Sequence, residues 1–296
     1  MPKTSRLPLP ILADVPPYPE SRFTTVQNVA LHHVGDERDT EPLYLAHHFY
    51  GSGANFRALI PHLNRTTVAL DRPGFGFSQR PKRTRQTKHL YTRRGQALLA
   101  WEMIEQLYGK EPVVLAGASA GGTHVLEMAD AKPKQVKAVV LIDAAVTGDV
   151  GPPGWARPIL RTPGVSHFGV RVVDAKAHTV TRQRVGRSWS DPSRVTDYTL
   201  DPYRRATTMP GYAYGLYHSF VGDMPPDLRG ALTRLAAPTL VLSGAKDPVI
   251  PPRDAKHIAR LISNSTYVEI DDAGHTPHEE QPEAVAATIT RFLSTI

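Results

Sequence analysis

Three residues of the types that perform nucleophilic catalysis stand out in this sequence of 296 residues: Ser119, Asp247 and His275. A serine hydroxyl becomes a strong nucleophile only when a base removes its proton, and a carboxylate must hold that base in the correct tautomer. The three residues occur in the order serine, acid, histidine, and each lies just past an apolar run typical of a strand. We therefore predict that they form a catalytic triad, because sites in open α/β sheets form where the strands end.

Ser119 is the central residue of a Gly-x-Ser-x-Gly motif at residues 117–121. The apolar run Val113–Ala116 precedes the motif, and a segment typical of a helix follows it. Strand, tight turn and helix in this order predict a nucleophile elbow. The glycines leave room where the strand and the helix converge, and the serine adopts a strained backbone conformation that lifts its hydroxyl clear of the sheet.

A second aspartate competes for the role of the triad acid. Asp143 also lies just past an apolar strand, whereas Asp247 precedes Pro248 and could instead cap a helix. We assign the acid to Asp247 and expect Asp143 to brace the loops around the site.

The tetrahedral intermediate of acyl transfer requires hydrogen-bond donors for its negatively charged oxygen. We predict that one donor is the backbone N–H of Ala120, directly after the nucleophile. The other should come from the loop at residues 47–53, after an early strand, with Phe49 as the first choice and Tyr50 as the second.

Apolar runs predict the elements that position these residues. A hairpin across Asn28 is predicted from Phe23–Gln27 and Ala30–Val34, and further strands at Leu43–His47, Thr66–Leu70, Val113–Gly117, Ala138–Ile142, Thr239–Ser243 and Tyr267–Ile270. Between several strands, apolar residues recur at helical spacing, as at Leu98, Trp101, Ile104 and Tyr108. The alternation predicts an α/β fold with a mostly parallel sheet covered on both faces.

The alternation divides the chain into three parts. Residues 1–22 are rich in proline and predict an extended arm, while residues 23–146 and 236–296 form the α/β core. The stretch at residues 147–235 is too long for a simple connection between two strands, and it is rich in aromatic residues. It predicts an inserted helical cap that covers the strand ends. Trp155, Trp189 and the Tyr212-Ala213-Tyr214 group in this cap, with Tyr214 as its candidate contact, could line a substrate pocket or form the cap's own small core. His48 and Tyr50 of the early loop are further candidates for contact with the substrate.

Composition excludes several other kinds of site. Cysteine is absent, which excludes disulfides, thiolate metal sites and cysteine nucleophiles, and no His-Glu-x-x-His motif indicates a metal. We therefore expect neither a metal nor a cofactor. The N-terminal segment lacks the apolar stretch of a signal peptide, and no run reaches the roughly 18 apolar residues of a membrane-spanning helix. We expect a cytoplasmic monomer or homodimer whose partner is a small molecule.

The net charge of +7 is concentrated in part between Arg80 and Arg94, where seven basic residues occur without an acid. This run is typical of a solvated loop that leads into a helix. The alternative interpretation is electrostatic steering of an anionic substrate or of an acidic carrier protein. No nucleic-acid-binding motif accompanies the charge, so binding to nucleic acid is not expected.

From about Phe23 to Leu293 the chain resembles α/β-hydrolases of the serine-nucleophile, cap-bearing esterase type. The resemblance rests on motifs in the family's order, at residues 47–53, 71–78, 117–121, 244–251 and 273–283. It implies an eight-stranded, mainly parallel sheet with a helical cap inserted after the sixth strand. The chain departs from the pattern at His48, where the family usually has glycine, and this leaves open which N–H completes the oxyanion hole.

The triad and the resemblance together predict a cofactor-free serine hydrolase that cleaves a carboxylic ester or a related acyl bond. The same triad can serve a carbon–carbon bond hydrolase, a thioesterase, a lactonase or a perhydrolase of the haloperoxidase type, and the fold does not choose among them. Dehalogenase and epoxide-hydrolase chemistry is disfavoured, because those enzymes carry aspartate at the position of Ser119. A ligand receptor with a slow triad and an inactive scaffold are the non-enzymatic alternatives.

Overall fold

A computed structural model of the chain describes residues 17–146, 152–177, 179, 182–222 and 228–296. Residues 1–16 of the predicted arm lie outside the described residues, and its last two residues, Ser21 and Arg22, already belong to the first strand. Residues 147–151, 178, 180–181 and 223–227 of the predicted cap lie outside them as well. The division into arm, core and cap therefore stays a prediction.

Eight strands form one sheet in the order β1-β2-β4-β3-β5-β6-β7-β8. They are β1 (Ser21–Val26), β2 (Val29–Val34), β3 (Leu43–Ala46), β4 (Thr67–Leu70), β5 (Val113–Ala118), β6 (Val136–Ile142), β7 (Thr239–Gly244) and β8 (Ser265–Ile270). The hairpin β1–β2 and the pair β2–β4 are antiparallel, and all pairs from β4 to β8 are parallel. The predicted eight-stranded, mostly parallel sheet is confirmed.

The described helices connect these strands and cover the sheet. They are α1 (Ile60–Leu63), α2 (Arg93–Tyr108), α3 (Ala120–Ala131), α4 (Arg157–Leu160), α5 (Pro163–Ala177), α6 (Arg182–Gly186), α7 (Asp197–Thr208), α8 (Tyr212–Phe220), α9 (Leu228–Arg234), α10 (Pro252–Leu261), α11 (Pro277–Glu280) and α12 (Pro282–Leu293). Helices α4 to α9 all lie between β6 and β7, and we call them the inserted helices.

Alternating side chains of the central strands build two apolar layers, one on each face of the sheet. On β5, Val113 and Leu115 face the layer that holds α2 and α3, whereas Val114 and Ala116 face the layer that holds α12. Every residue of β5 is buried, as expected for a parallel strand covered on both faces.

The predicted strands differ from the observed ones by one or two residues at their ends. The largest differences are at β1, β6 and β8, which begin two residues earlier than predicted. In the first hairpin, both Gln27 and Asn28 have positive φ, at 49° and 60°, and form the two-residue turn, so Gln27 is not part of the strand. Within the described ranges, no helix is both long and apolar enough to span a bilayer.

Buried histidines predict an acid-labile fold. Burial lowers the pKa of His33 and of His218 to about 4, and it lowers the pKa of His47, His124 and His278 well below the ordinary value. These groups are neutral when folded but take up protons readily when unfolded. Their stabilisation is therefore complete above about pH 6.5 and is lost as the pH falls towards about 4.

We expect the free energy of unfolding, measured in urea, to decrease steadily from pH 7 to mildly acidic pH, and His33→Gln to flatten that dependence. The exposed His62 provides the control, because His62→Gln removes a histidine that folding does not bury. If the unfolding free energy of His33→Gln depended on pH as steeply as that of the wild type, this account would be contradicted.

Candidate active site

The nucleophile elbow begins where β5 ends. Ser119 has φ of 50° and ψ of −117°, a backbone conformation that non-glycine residues rarely adopt. Its N–H donates to the carbonyl of Ile142, and its carbonyl accepts from Gly122 and Ala145. Hydrogen bonds to the neighbouring strand end and to the helix therefore hold this strained residue in place.

The glycines of the motif are required by close backbone approaches. A Cβ atom on Gly117 would lie 2.3 Å from the carbonyl oxygen of Gly121, and one on Gly121 would lie 2.1 Å from that of Ala46. Both distances are far below van der Waals contact and involve backbone atoms. The predicted crowding between strand and helix is therefore present, and it excludes larger residues at both positions.

The structure brings Ser119, His275 and Asp247 into one hydrogen-bonded chain. Nε2 of His275 lies 3.0 Å from Oγ of Ser119, and its Nδ1 lies 2.8 Å from Oδ2 of Asp247. Such contacts require Nδ1–H to donate to the carboxylate, which leaves the lone pair of Nε2 to accept the serine proton. The arrangement has the geometry of a base-activated nucleophile.

Asp247 is fixed as an acceptor. Its other oxygen, Oδ1, accepts hydrogen bonds from the N–H groups of Val249 at 2.7 Å and Ile250 at 3.0 Å, and its side chain is fully buried. These bonds orient the carboxylate toward His275.

Asp143 lies beside the triad acid rather than beside the histidine. Both of its oxygens lie 3.1 Å from the N–H of Gly244, and its backbone has a positive φ of 41°. Burial first, and then the charge of Asp247 and a hydrogen bond to it, raises the pKa of Asp143 well above its ordinary value. The raised pKa favours the protonated form of Asp143.

The loop at residues 47–53 is anchored by its own histidine and by Asp71. Nδ1 of His47 lies 2.7 Å from the carbonyl oxygen of His48, and Arg72 donates its N–H to Nε2 of His47. Asp71 accepts the N–H groups of Gly53 and Phe77, each at 2.6 Å, and so ties this loop to the following one. Among the described residues, no protein group accepts the backbone N–H of Phe49 or of Ala120, so both remain candidates for oxyanion donors.

His48 is part of a buried polar network that joins this loop to the inserted helices. The hydroxyl of Tyr203 on α7 lies 3.1 Å from Nε2 of His48 and donates to the carboxylate of Glu279 at 3.0 Å, and the two rings stack. Asn55 donates to the same carboxylate at 2.6 Å. The side chain that replaces the usual glycine is therefore directed toward Tyr203.

The segment between α6 and α7 holds the loop that carries His275 in a similar way. The N–H of His275 donates to the carbonyl of Ser188 at 2.7 Å. Glu280 accepts from the N–H groups of Ser190 and Gly274, at 2.8 and 2.9 Å, and thus joins the segment after α6 to the loop that carries the base. The position of His275 consequently depends on contacts with the inserted helices as well as with the core.

Ser119 and His275 open onto a cavity of 590 Å³. His48, Phe49 and Tyr50 line it from the core, and most of the opposite wall comes from α5, α6 and α8. The wall is mainly apolar, with helically spaced residues such as Tyr212, Leu216 and Phe220 on one face of α8. The concave, largely apolar form suits a small organic molecule.

The structure brings two of the five predicted substrate contacts to this cavity and leaves three elsewhere. His48 and Tyr50 line it, but Trp155 is 76% exposed and is not part of the wall. Trp189 packs in a small apolar cluster with Val185, Val195, Leu200 and Tyr203. The hydroxyl of Tyr214 accepts the N–H of Arg83 at 2.7 Å, outside the cavity.

The sequence motifs do not predict the residues of α5 and α6 in the wall, which include Val172, Val173, Lys176 and Arg184. The spacing of one helical turn between Val172 and Lys176 was the available signal.

One group of described side chains has the types that bind metals. Ligand atoms of His48, His278 and Glu279 lie within 4.8 Å of one another. The hydroxyl of Tyr203 and the amide of Asn55 already occupy the carboxylate of Glu279. We therefore assign His48 and Glu279 to the network that joins the loop and the inserted helices, whereas the ring of His278 packs against Phe56. The absence of a metal stays a prediction.

Substitution of each aspartate by asparagine distinguishes the roles of the two carboxyl groups. Asp247→Asn should lower kcat/KM for p-nitrophenyl butyrate by about ten-thousandfold, because an amide no longer fixes the productive tautomer of His275. Asp143→Asn should stay close to the wild type, since an amide keeps the acceptor for Gly244 and the donor for Asp247. Retained activity in Asp247→Asn together with loss in Asp143→Asn would transfer the role of the acid to Asp143.

Removing one hydroxyl tests the network between loop and inserted helices. Tyr203→Phe should lower the free energy of unfolding by about 1–3 kcal/mol, because buried groups of His48 and Glu279 lose a partner. Tyr198→Phe removes a hydroxyl from an exposed residue of the same helix and is the matched control. Equal unfolding free energies for the two variants would show that the network contributes nothing to stability.

Comparison with known proteins agrees with this architecture. The family described as alpha/beta hydrolase fold matches residues 41–282. The magnesium-chelatase 30 kDa subunit of Rhodobacter capsulatus is 28% identical over 268 residues, which cover 86% of this chain and 87% of the relative. The poly(3-hydroxyalkanoate) depolymerase of Ectopseudomonas oleovorans is 28% identical over 251 residues, which cover 83% of this chain and 82% of the relative.

A malate-bound thermophilic esterase from Thermogutta terrifontis has a similar structure. Its TM-score is 0.73 at 22% identity, and the match covers 93% of this chain and 98% of that chain. At this identity the likeness concerns the fold. Because the family match spans most of the sequence and the sheet has the expected eight, mostly parallel strands, the chain belongs to the alpha/beta hydrolase fold family.

Proposed function

We propose that this protein is a serine hydrolase that cleaves a carboxylic ester, or a closely related acyl bond, of a small molecule. The observation that carries the proposal is the continuous hydrogen-bonded chain from Asp247 through His275 to Ser119, which ends in the cavity. Proton removal from a serine hydroxyl at the wall of an apolar cavity suits attack on a carbonyl carbon.

In the first half of the reaction, Oγ of Ser119 attacks the carbonyl carbon as its proton passes to Nε2 of His275. The carbonyl oxygen takes up the electron pair and becomes an oxyanion, which the N–H groups of Phe49 and Ala120 stabilise. His275 then gives the proton to the alcohol oxygen, the C–O bond breaks and the acyl group stays on Ser119. Asp247 stabilises the imidazolium that exists between these proton transfers.

In the second half, His275 removes a proton from water, which attacks the acyl-enzyme through a second oxyanion. Collapse of this intermediate breaks the bond to Oγ of Ser119 and releases the carboxylic acid. His275 returns the proton to Ser119, so that the chain begins the next cycle unchanged. No group beyond the triad and the two N–H donors is needed.

The preference for an ester draws on two kinds of support. The triad geometry serves acyl transfer in general, and one relative is named for the depolymerisation of a poly(3-hydroxyalkanoate), which is a polyester. The cavity of 590 Å³ limits the substrate to a small molecule or to the end of a longer one. Thioesters, lactones, diketones and peroxide remain the alternatives for the same triad.

Removal of the nucleophile tests the proposal. Ser119→Ala should lower kcat for p-nitrophenyl butyrate on the order of a millionfold while leaving the unfolding transition cooperative. Ser188→Ala is the matched control, because Ser188 lines the same cavity but donates its hydroxyl to the carbonyl of Val185. It should keep activity near that of the wild type.

Two results would contradict the proposal. One is ester hydrolysis that survives in Ser119→Ala. The other is a wild-type protein that cleaves a vinylogous diketone or a thioester in a parallel assay but leaves carboxylic esters intact, which would keep the triad and change the reaction.

A further inference from the structure

Two cationic side chains belong to the described part of the cavity wall. Lys176 at the end of α5 and Arg184 on α6 line the cavity, whereas none of its described lining residues is an aspartate or a glutamate. Both cationic side chains belong to exposed residues, which places them toward the solvent side of the cavity. The seven basic residues between Arg80 and Arg94 are not part of the wall.

The guanidinium of Arg184 is held against the cavity. Its Nη1 donates to the carbonyl of Lys176 at 3.3 Å and to the hydroxyl of Thr179 at 3.0 Å. Its central carbon lies 5.7 Å from the ring centroid of Tyr50, on the opposite wall. The position of this charge is therefore fixed by α5, by residue 179 and by an aromatic ring of the core loop.

Apolar side chains line the same cavity as these charges and the reacting groups. They include Val172, Val173, Leu216 and Phe220, and the reacting groups are those of Ser119 and His275. A tyrosine hydroxyl on the wall adds a neutral donor, because burial raises the pKa of Tyr212 to about 12 and keeps it protonated. The cavity thus combines a nucleophile, an apolar wall and a cationic, donor-rich surface.

We propose that the substrate is an ester that carries an anionic oxygen group, such as a carboxylate, separated from the scissile carbonyl by an apolar chain or ring, and that Lys176 and Arg184 bind this group. The inference rests on the proposed function and names its substrate class. Guanidinium and ammonium groups bind oxyanions through charge-assisted hydrogen bonds. Among the described lining residues, no carboxylate presents a repulsive charge to such a group.

The test compares each charged ester with a neutral counterpart. One pair is p-nitrophenyl hydrogen suberate and p-nitrophenyl methyl suberate, which places the charge on the acyl side. The other is the butyrate ester of 4-hydroxyphenylacetate and of its methyl amide, which places the charge on the alcohol side. We expect kcat/KM to favour the anion in at least one pair by about tenfold at low salt, since exposed ion pairs are individually weak.

Variants separate the two cations from the general charge of the protein. The double variant with Lys176→Gln and Arg184→Gln should remove the preference while keeping hydrolysis of the neutral ester, and high salt should weaken it in the wild type. Arg171→Gln is the matched control, because Arg171 is exposed on α5 but does not line the cavity. It should keep the preference.

Equal or lower kcat/KM for the anion in both pairs would overturn the inference, as would a preference that persists in the double variant. Neither result affects the proposed function, which depends on Ser119-dependent hydrolysis of the neutral esters. Hydrolysis of those esters by Ser119→Ala would instead overturn the proposed function. The kcat/KM ratios of the same substrate pairs would still show whether the anion is preferred.

Discussion

The backbone at Ser119 is the constraint on which the site depends. A φ of 50° is costly for a residue with a side chain, and the surrounding structure must hold it there. Hydrogen bonds to Ile142, Gly122 and Ala145 hold it there. Close backbone approaches leave no room for a Cβ atom at Gly117 or Gly121. Because β5 and β6 are central strands of the sheet, the geometry of the nucleophile is supported by the most deeply buried part of the fold.

The base has a different kind of support. His275 lies on a loop whose backbone is bonded to the segment after α6, and Glu280 joins the same two parts of the chain. Tyr203 links α7 to His48 and to Glu279. The core therefore positions the serine, whereas the core and the inserted helices together position the histidine and the early loop. The same inserted helices supply most of the apolar wall and both cations of the cavity, which couples substrate contact to the placement of the base.

Much of this arrangement was predictable from local patterns. Short stretches of sequence predict the strand–turn–helix order around Ser119. They also predict that Asp247 and His275 follow strands, and the structure brings the three residues together. The cavity wall was not predictable in the same way. The aromatic character of Trp155, Trp189 and Tyr214 predicts contact with the substrate. Their surroundings, however, are set by how α4 to α8 pack, which no local pattern specifies. The charge at the cavity also came from Lys176 and Arg184 rather than from the basic run between Arg80 and Arg94, since only the tertiary fold decides which cations face the site.

The central claim is that His275 activates Ser119 as a nucleophile. Labelling with a fluorophosphonate, followed by mass spectrometry of the digested protein, tests it most directly, because this reagent phosphonylates activated serines. The account predicts a single adduct on Ser119 in the wild type and its loss in His275→Ala, with the cooperative unfolding transition kept. An adduct on another serine, or equal labelling of Ser119 with and without His275, would contradict it.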